Sequence, residues 1–411
     1  MKNEIGYYTI NNVPFSSNKI AATLEAQKTN AELGWYFFDD ILNKVNWLDE
    51  PTLSLDQLYR IRAEQIRSQY DYVIVAVSGG ADSTNVIRTF MNNNIHVDEV
   101  IAYIPESGLK NFDPDDKNFS ATNVMSEIKY AQYPILDEVK NKSPNTKITI
   151  VDFFQDMISA TPDAWIYESE GDILAMAGYY YGRMESVPHL KDLAESGKRI
   201  ASVWGTDKPI LHFTPNGEVV FAIPDTPVYL GKYPFDKPYP NVDRVLFYYT
   251  ADLPEVMVKQ AHVVAREIHK PENNYIYQAV LNRRKSNSDE IIASRDTVMK
   301  TILKMIDDGL SYSPKTVYQR GIIPFIYPST YDPNLFQVRK YESNQTFLPA
   351  FGDWINKLHR NTRITDMLQS DFSLFYKNIS PKYLNAKQTG LKPCVKHFFI
   401  GTQSYFKEQG I

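Results

Sequence analysis

The run Ser78-Gly79-Gly80-Ala81-Asp82-Ser83 places two glycines, two hydroxyls and a carboxylate within six residues. It follows the apolar stretch YVIVAV (72–77) and opens a helical pattern at about 83–93. Adjacent glycines reach backbone conformations closed to other residues, so successive N–H groups can converge on one anion. A helix that starts at such a turn adds its own unpaired N–H groups and the positive end of its dipole. Ser78 and Ser83 offer hydroxyl donors. Asp82 is the odd member, because a carboxylate repels a phosphate unless a cation lies between them. It either holds Mg²⁺ bridging phosphates or caps the helix. Other phosphate loops do not occur: the chain has no G-x-x-x-x-G-K-[ST] and no G-x-G-x-x-G.

Such a turn needs a buried strand before it. YVIVAV (72–77), EVIAYI (99–104), KITIVDF (147–153) and RIASVWG (199–205) are short, apolar and rich in β-branched residues. They lack clean alternation, as expected of strands covered on both faces. Helical stretches at about 83–93, 121–142 and 171–196 separate them, which predicts a doubly wound, mainly parallel α/β sheet of Rossmann-like type. EVVFAI (218–223), reached through the turn TPNGE, reads as an added edge strand. Upstream, residues 17–47 read as helical, and a second helix begins at Ser54 as N-cap, with Arg60, Arg62 and Arg67 on a solvated face. Downstream of Pro224 the chain turns Pro- and Tyr-rich, with helices at about 254–270 and 287–308 in an irregular, mostly helical region. The expected divisions are an N-terminal helical extension (1–68), an α/β domain (69–225) and a C-terminal helical and aromatic region (226–411).

The chain has 411 residues, 43% hydrophobic and 23% charged, which is ordinary for a soluble globular protein. A net charge of −5 gives no overall attraction to nucleic acid or an acidic membrane. A single cysteine, Cys394, excludes an intrachain disulfide and points to a reducing compartment. No run approaches the roughly 20 apolar residues that span a bilayer, and the first residues lack the apolar core of a secretory signal. The expected location is the cytoplasm.

VAVSGGADS resembles the SGG-x-DS signature of the PP-loop ATP pyrophosphatases, within the adenine nucleotide α-hydrolase-like superfamily. The resemblance covers roughly residues 70–225 and implies a Rossmann-like fold of the HUP type that binds ATP and Mg²⁺ and splits ATP into AMP and pyrophosphate. It implies that Ser78, Gly79, Gly80, Asp82 and Ser83, following Ala76 and Val77, contact the pyrophosphate and its metal. AYIPESG (102–108) is similar to the strand end that brackets adenine and ribose in the phosphoadenosine phosphosulfate reductase branch, which carries Tyr103, Ile104, Ser107 and Gly108 into the nucleotide site. VWGTDKP (203–209) closes the fourth strand with Gly205, Asp207 and Lys208. There a lysine could neutralise charge on the α-phosphate, and Asp207 could join Asp82 as a metal ligand. The implied enzyme adenylates an oxygen of a small-molecule or nucleobase acceptor, and an amine, ammonia or a sulfur donor displaces the AMP.

Other residues separate members of that superfamily. Residue 2 is Lys, so there is no N-terminal nucleophilic cysteine of the amidotransferase type. One cysteine is too few for two-cysteine thiolation or a four-cysteine zinc site. LKPCVKHFF places Cys394 three residues before His397, a partial echo of the sulfonucleotide reductase motif without its glutamate and glycine. Cys394 reads as a buried thiol, with a reductase as the alternative function and a non-catalytic nucleotide-binding module as another. His262 and His269 lie seven residues apart on one helix, too far to share a metal ion. Lys259 and Gln260 on that helix, and Arg183 and Glu185 further upstream, are weaker candidates to line a cleft. FIYPSTYDP (325–333) and VYLGKYPFDKPYP (228–240) read as loop core or as platforms for a base.

Overall fold

The computed structural model describes residues 5–104, 106, 128–152, 187–206, 208–225, 239–285, 314–333, 378–385 and 390–409. Ser107, Gly108, Arg183, Glu185, Asp207 and the helix expected at 287–308 lie outside these residues. Strands β1 (Tyr7–Ile10) and β2 (Val13–Ser16) form a hairpin whose Asn11-Asn12 tip has positive φ at both residues, the backbone a two-residue hairpin loop requires. Helix α1 (Lys19–Thr29) starts at Asn18, whose side chain accepts from the Ala21 N–H, and ends at Asn30 in the left-handed region. Strand β3 (Leu33–Tyr36) then pairs antiparallel with β1, and one turn of helix, α2 (Asp39–Leu42), follows. The helix expected over 17–47 is therefore broken. Asn30 ends α1 in the left-handed region, and β3 then joins the upstream hairpin in an antiparallel sheet of order β2-β1-β3.

Helix α3 (Leu55–Gln69) begins as expected at Ser54, in a reciprocal capping box with Gln57. Its arginines do not share one environment. Arg60 is exposed and paired to Glu64, whereas Arg62 is 2% exposed and reaches Asp252 and the Leu246 carbonyl. The solvated-face reading fails for Arg62 because both acceptors come from far along the chain.

The alternation of strand and helix then begins: β4 (Tyr72–Ala76), α4 (Ala81–Asn92), β5 (Glu99–Tyr103), a one-turn π-helix (Ile128–Gln132) leading into α5 (Tyr133–Lys142), β6 (Lys147–Val151), α6 (Pro188–Glu195) and β7 (Ile200–Trp204). All pairings in the sheet are parallel. Odd residues of β4 (Val73, Val75) join the larger core beside α3, α4 and α5, and Ile74 joins a smaller one with Leu190 and Ala194 of α6. Apolar residues on both sides of each strand put helices on both faces, the arrangement a continuous apolar strand demands.

The fifth strand differs from expectation. The antiparallel hairpin β8 (Ile210–Phe213) and β9 (Glu218–Pro224) turns at Gly217, as TPNGE suggests, but it leaves the parallel sheet. The edge position is filled by β10 (Val242–Leu246), giving the order β10-β7-β4-β5-β6. Helices α7 (Glu255–Ile268) and α8 (Asn274–Lys285) follow, then α9 (Pro314–Gly321) and α10 (Ile323–Ile326). Near the end come the short β11 (Leu384–Asn385) and β12 (Gly390–Leu391), then β13 (Val395–Thr402) and α11 (Gln403–Gln409). β13 pairs antiparallel with β9 in a second sheet, β13-β9-β8. Residues beyond 225 thus supply a strand to each of two sheets rather than forming only a helical annex. No helix among the described residues is long and apolar enough to cross a membrane.

Candidate functional site

From β4 the chain runs through β5 to β6 on one side, then returns to place β7 on the other. The strand order reverses at β4, and in open α/β sheets the crevice at such a point, beyond the carboxyl ends of the strands, is where ligands bind. The turn 78–83 stands there. Gly79 has φ +77°, and a Cβ on it would lie 2.5 Å from backbone atoms of Ala131 and Gln132 in the π-helix. Gly79 is therefore required twice, by its left-handed backbone and by the close approach of the π-helix. Gln132 Nε2 fastens that contact by donating to the Val77 carbonyl at 2.9 Å.

The turn is stitched from within. The Ser78 N–H donates to Ser83 Oγ, the two hydroxyls lie 3.2 Å apart, and the Gly80 N–H reaches Ser78 Oγ at 3.3 Å. Gly80 is the N-cap of α4, and no side chain caps it. The α4 hydrogen-bond ladder opens with the Thr84 N–H donating to the Gly80 carbonyl, so the first-turn N–H groups of Ala81, Asp82 and Ser83 have no partner within the helix. Asp82, which could have capped, does not. Its Oδ2 takes Lys208 Nζ at 2.5 Å and its Oδ1 accepts the Tyr327 hydroxyl at 2.6 Å. The Lys208 and Asp82 side chains are 14% and 20% exposed, so the pair is largely shielded from solvent without being fully buried.

The elements around the turn hold this geometry. Gly205, just past β7, packs so closely that a Cβ would come within 2.8 Å of the Asp82 carbonyl oxygen and 3.0 Å of the Ser83 nitrogen. The Tyr249 hydroxyl donates to the Lys208 carbonyl at 2.7 Å, and Tyr318 does the same to Pro209. Tyr248 donates to the Asp82 carbonyl and accepts from Asn85, which in turn accepts from Thr330. Burial first, then the charge of Asp82, raises the Tyr327 phenol well above its ordinary range, so it stays protonated and donates.

Tyr103 and Trp204 end the two strands that flank β4, with ring centroids 6.1 Å apart and planes 24° from parallel. Between them β4 ends on Ala76, a small residue that leaves room for the two rings to stack on each other at the carboxyl end of the sheet. Ile104 is fully buried and donates its N–H to the Val151 carbonyl, a packing position and not a lining one.

The structure thus gathers Ser78, Gly79, Gly80, Asp82, Ser83, Gly205 and Lys208 about one turn, with Tyr103 at a neighbouring strand end. Sequence reading missed Tyr327, Tyr248, Trp204 and Gln132. A signal existed for two of them: Tyr327 lies within FIYPSTYDP, and Trp204 holds the same strand-end position as Tyr103. The weaker candidates lie elsewhere. Lys259 is paired with Glu50, and Gln260 is buried and donates to the Tyr59 hydroxyl. His262 and His269 each bond a backbone carbonyl, of Trp47 and Ala265 respectively. Burial pushes the Cys394 thiol up to about 12. Among the described residues no group of three or more His, Cys, Asp or Glu side chains is placed to hold a metal ion.

No family model matches the chain, and no curated protein matches it significantly.

Proposed function

We propose that the chain is an ATP pyrophosphatase-type enzyme that splits ATP into AMP and pyrophosphate and adenylates an oxygen of an acceptor. The observation that carries this reading is the uncapped start of α4 behind the Gly79-Gly80 turn, at the point where strand order reverses, with Lys208 set against it. Backbone N–H groups of residues 81–83 and the hydroxyls of Ser78 and Ser83 hold the two terminal phosphates. The acceptor oxygen attacks the α-phosphorus, the α–β phosphoanhydride bond breaks, and its electron pair leaves with pyrophosphate. Lys208 and the helix N-terminus stabilise the charge that develops on the departing oxygens. Tyr103 and Trp204 suit the base.

Asp82 has both oxygens engaged and so does not fit a resident metal site by itself. Mg²⁺ enters in this reading as the counter-ion of the nucleotide, with Asp82 and Asp207 the carboxylates within reach of it by sequence. An amine, ammonia or a sulfur donor then displaces AMP from the activated acceptor. The reductase reading needs Cys394 as a thiolate, and a thiol held near 12 by burial argues against it. The test is incubation with α-labelled ATP and Mg²⁺. AMP and pyrophosphate are the expected products, whereas ADP as the sole labelled product overturns the proposal.

A further inference from the structure

Lys208 is bonded to a carboxylate at the place where an anion would sit beside it. We propose that Asp82 is an internal stand-in for phosphate on Lys208, and that Tyr327 sets how readily the lysine is handed over. The inference rests on the phosphate reading of the 78–83 turn and extends it to a residue outside the turn.

Three observations carry it. First, Asp82 lies in the first turn of α4, where a carboxylate ordinarily folds back over the unpaired N–H groups. Here it is drawn sideways, with one oxygen on Lys208 and the other on Tyr327. Second, Tyr327 is 1% exposed and its backbone cannot drift. The segment that carries it is fastened to α4 along one stripe: Tyr327 to Asp82, Thr330 to Asn85, and Arg88 Nη1 to the Thr330 carbonyl at 2.7 Å. Tyr59 holds the preceding carbonyl, that of Ile326, at 2.7 Å. Third, the backbone of Lys208 is held beside the turn by the Tyr249 hydroxyl, which donates to the Lys208 carbonyl.

A phosphate entering the turn competes with Asp82 for the same ammonium. Each donor on the carboxylate lowers its appetite for the next, so the Tyr327 hydroxyl weakens the grip of Asp82 on Lys208 and eases the exchange. Tyr327 is a positioning residue in this scheme and touches no phosphate itself.

The experiment is a double-mutant cycle on the full chain, measured as binding of inorganic pyrophosphate by calorimetry in the presence of a chelator. Without divalent metal, Asp82 acts only as a competitor. D82N, nearly isosteric and still able to accept from Tyr327, is expected to bind pyrophosphate about tenfold tighter than the wild type. Y327F is expected to bind about three- to tenfold weaker in the wild-type background and unchanged in the D82N background. A merely structural role for Tyr327 would weaken both backgrounds alike, and that result overturns the inference. Weaker binding by D82N overturns it too, and decides the matter should Y327F fail to fold. If the wild type itself binds no pyrophosphate, the phosphate reading of the turn falls; if it binds and the cycle shows no coupling, only the role of Tyr327 and Asp82 falls.

Discussion

Replacing Lys19 by methionine is expected to destabilise the fold by about 3–5 kcal/mol. Lys19, at the start of α1, and Asp225, just after β9, are 1% and 0% exposed and meet at 2.7 Å. At an effective dielectric constant of 20, two unit charges at that distance attract by about 6 kcal/mol, offset in the native state by the loss of hydration of both. Methionine keeps most of the aliphatic stem but removes the charge together with the N–H donors of the ammonium. Asp225 Oδ2 would then keep the Tyr8 hydroxyl at 3.1 Å, but Oδ1 already has no hydrogen-bond partner. A buried carboxylate with a single neutral donor is the uncompensated case. Urea unfolding followed by tryptophan fluorescence measures the loss, with an unchanged slope showing that the two end states are the same. The double variant Lys19→Met/Asp225→Leu removes both charges and is expected to recover most of the loss, because a buried pair is worth little against apolar residues of similar size. A single-variant loss below about 1 kcal/mol, or a double variant as costly as the two singles added, would refute the reasoning.

Three further outcomes follow from the same coordinates. Gly79→Ala is expected to cost about 2–5 kcal/mol, from its left-handed backbone and its overlap with residues 131–132, whereas Gly197→Ala, at the same φ with nothing within 4 Å, costs only about 1–2; equal losses in urea melts would contradict the crowding at the turn. His262 bonds the Trp47 carbonyl through Nε2, its Nδ1 is buried without a partner, and burial lowers its pKa against the weaker pull of Glu50. Its contribution to stability is therefore present above pH of about 6.5 and lost as the pH falls through the lowered value, and His262→Gln should flatten the acid side of the stability curve. Cys394, raised by burial, is expected to resist iodoacetamide at pH 8 in the native state and react on unfolding, and Cys394→Ala should leave ATP cleavage unchanged; loss of that cleavage in a folded variant would contradict a purely packing role for the thiol.

Four of the five parallel strands, β4 to β7, were legible because each is a short, β-branched apolar run, and the turn between β4 and α4 because glycine pairs are rare where one would suffice. The Ser54 cap and the turn at Gly217 were legible from local chemistry alone, whereas the partner strand β8 was not. What escaped reading depended on distant partners. VDRVL does not look like a sheet strand, yet Tyr70 satisfies Asp243 at 3.0 Å and the strand pairs along β7. EVVFAI looked like an edge of the parallel sheet, because nothing near it announces that β13 will pair with it. Arg62 follows the same rule, since an arginine on an amphipathic helix is solvated unless a carbonyl and a carboxylate arrive from elsewhere. Tyr327 could be seen as an aromatic in a loop, but its bond to Asp82 spans 245 positions of sequence.

The pairing of β13 with β9 also bears on how the chain is made. Until translation delivers residues 395–402, one side of β9 stays open, an edge carrying Val219, Phe221 and Ile223. Strand edges of this kind recruit other strands, and a ribosome queue would keep several of them close together. A nascent chain halted short of Val395 would therefore be a natural client for a chaperone, and its release should coincide with the closing of that sheet.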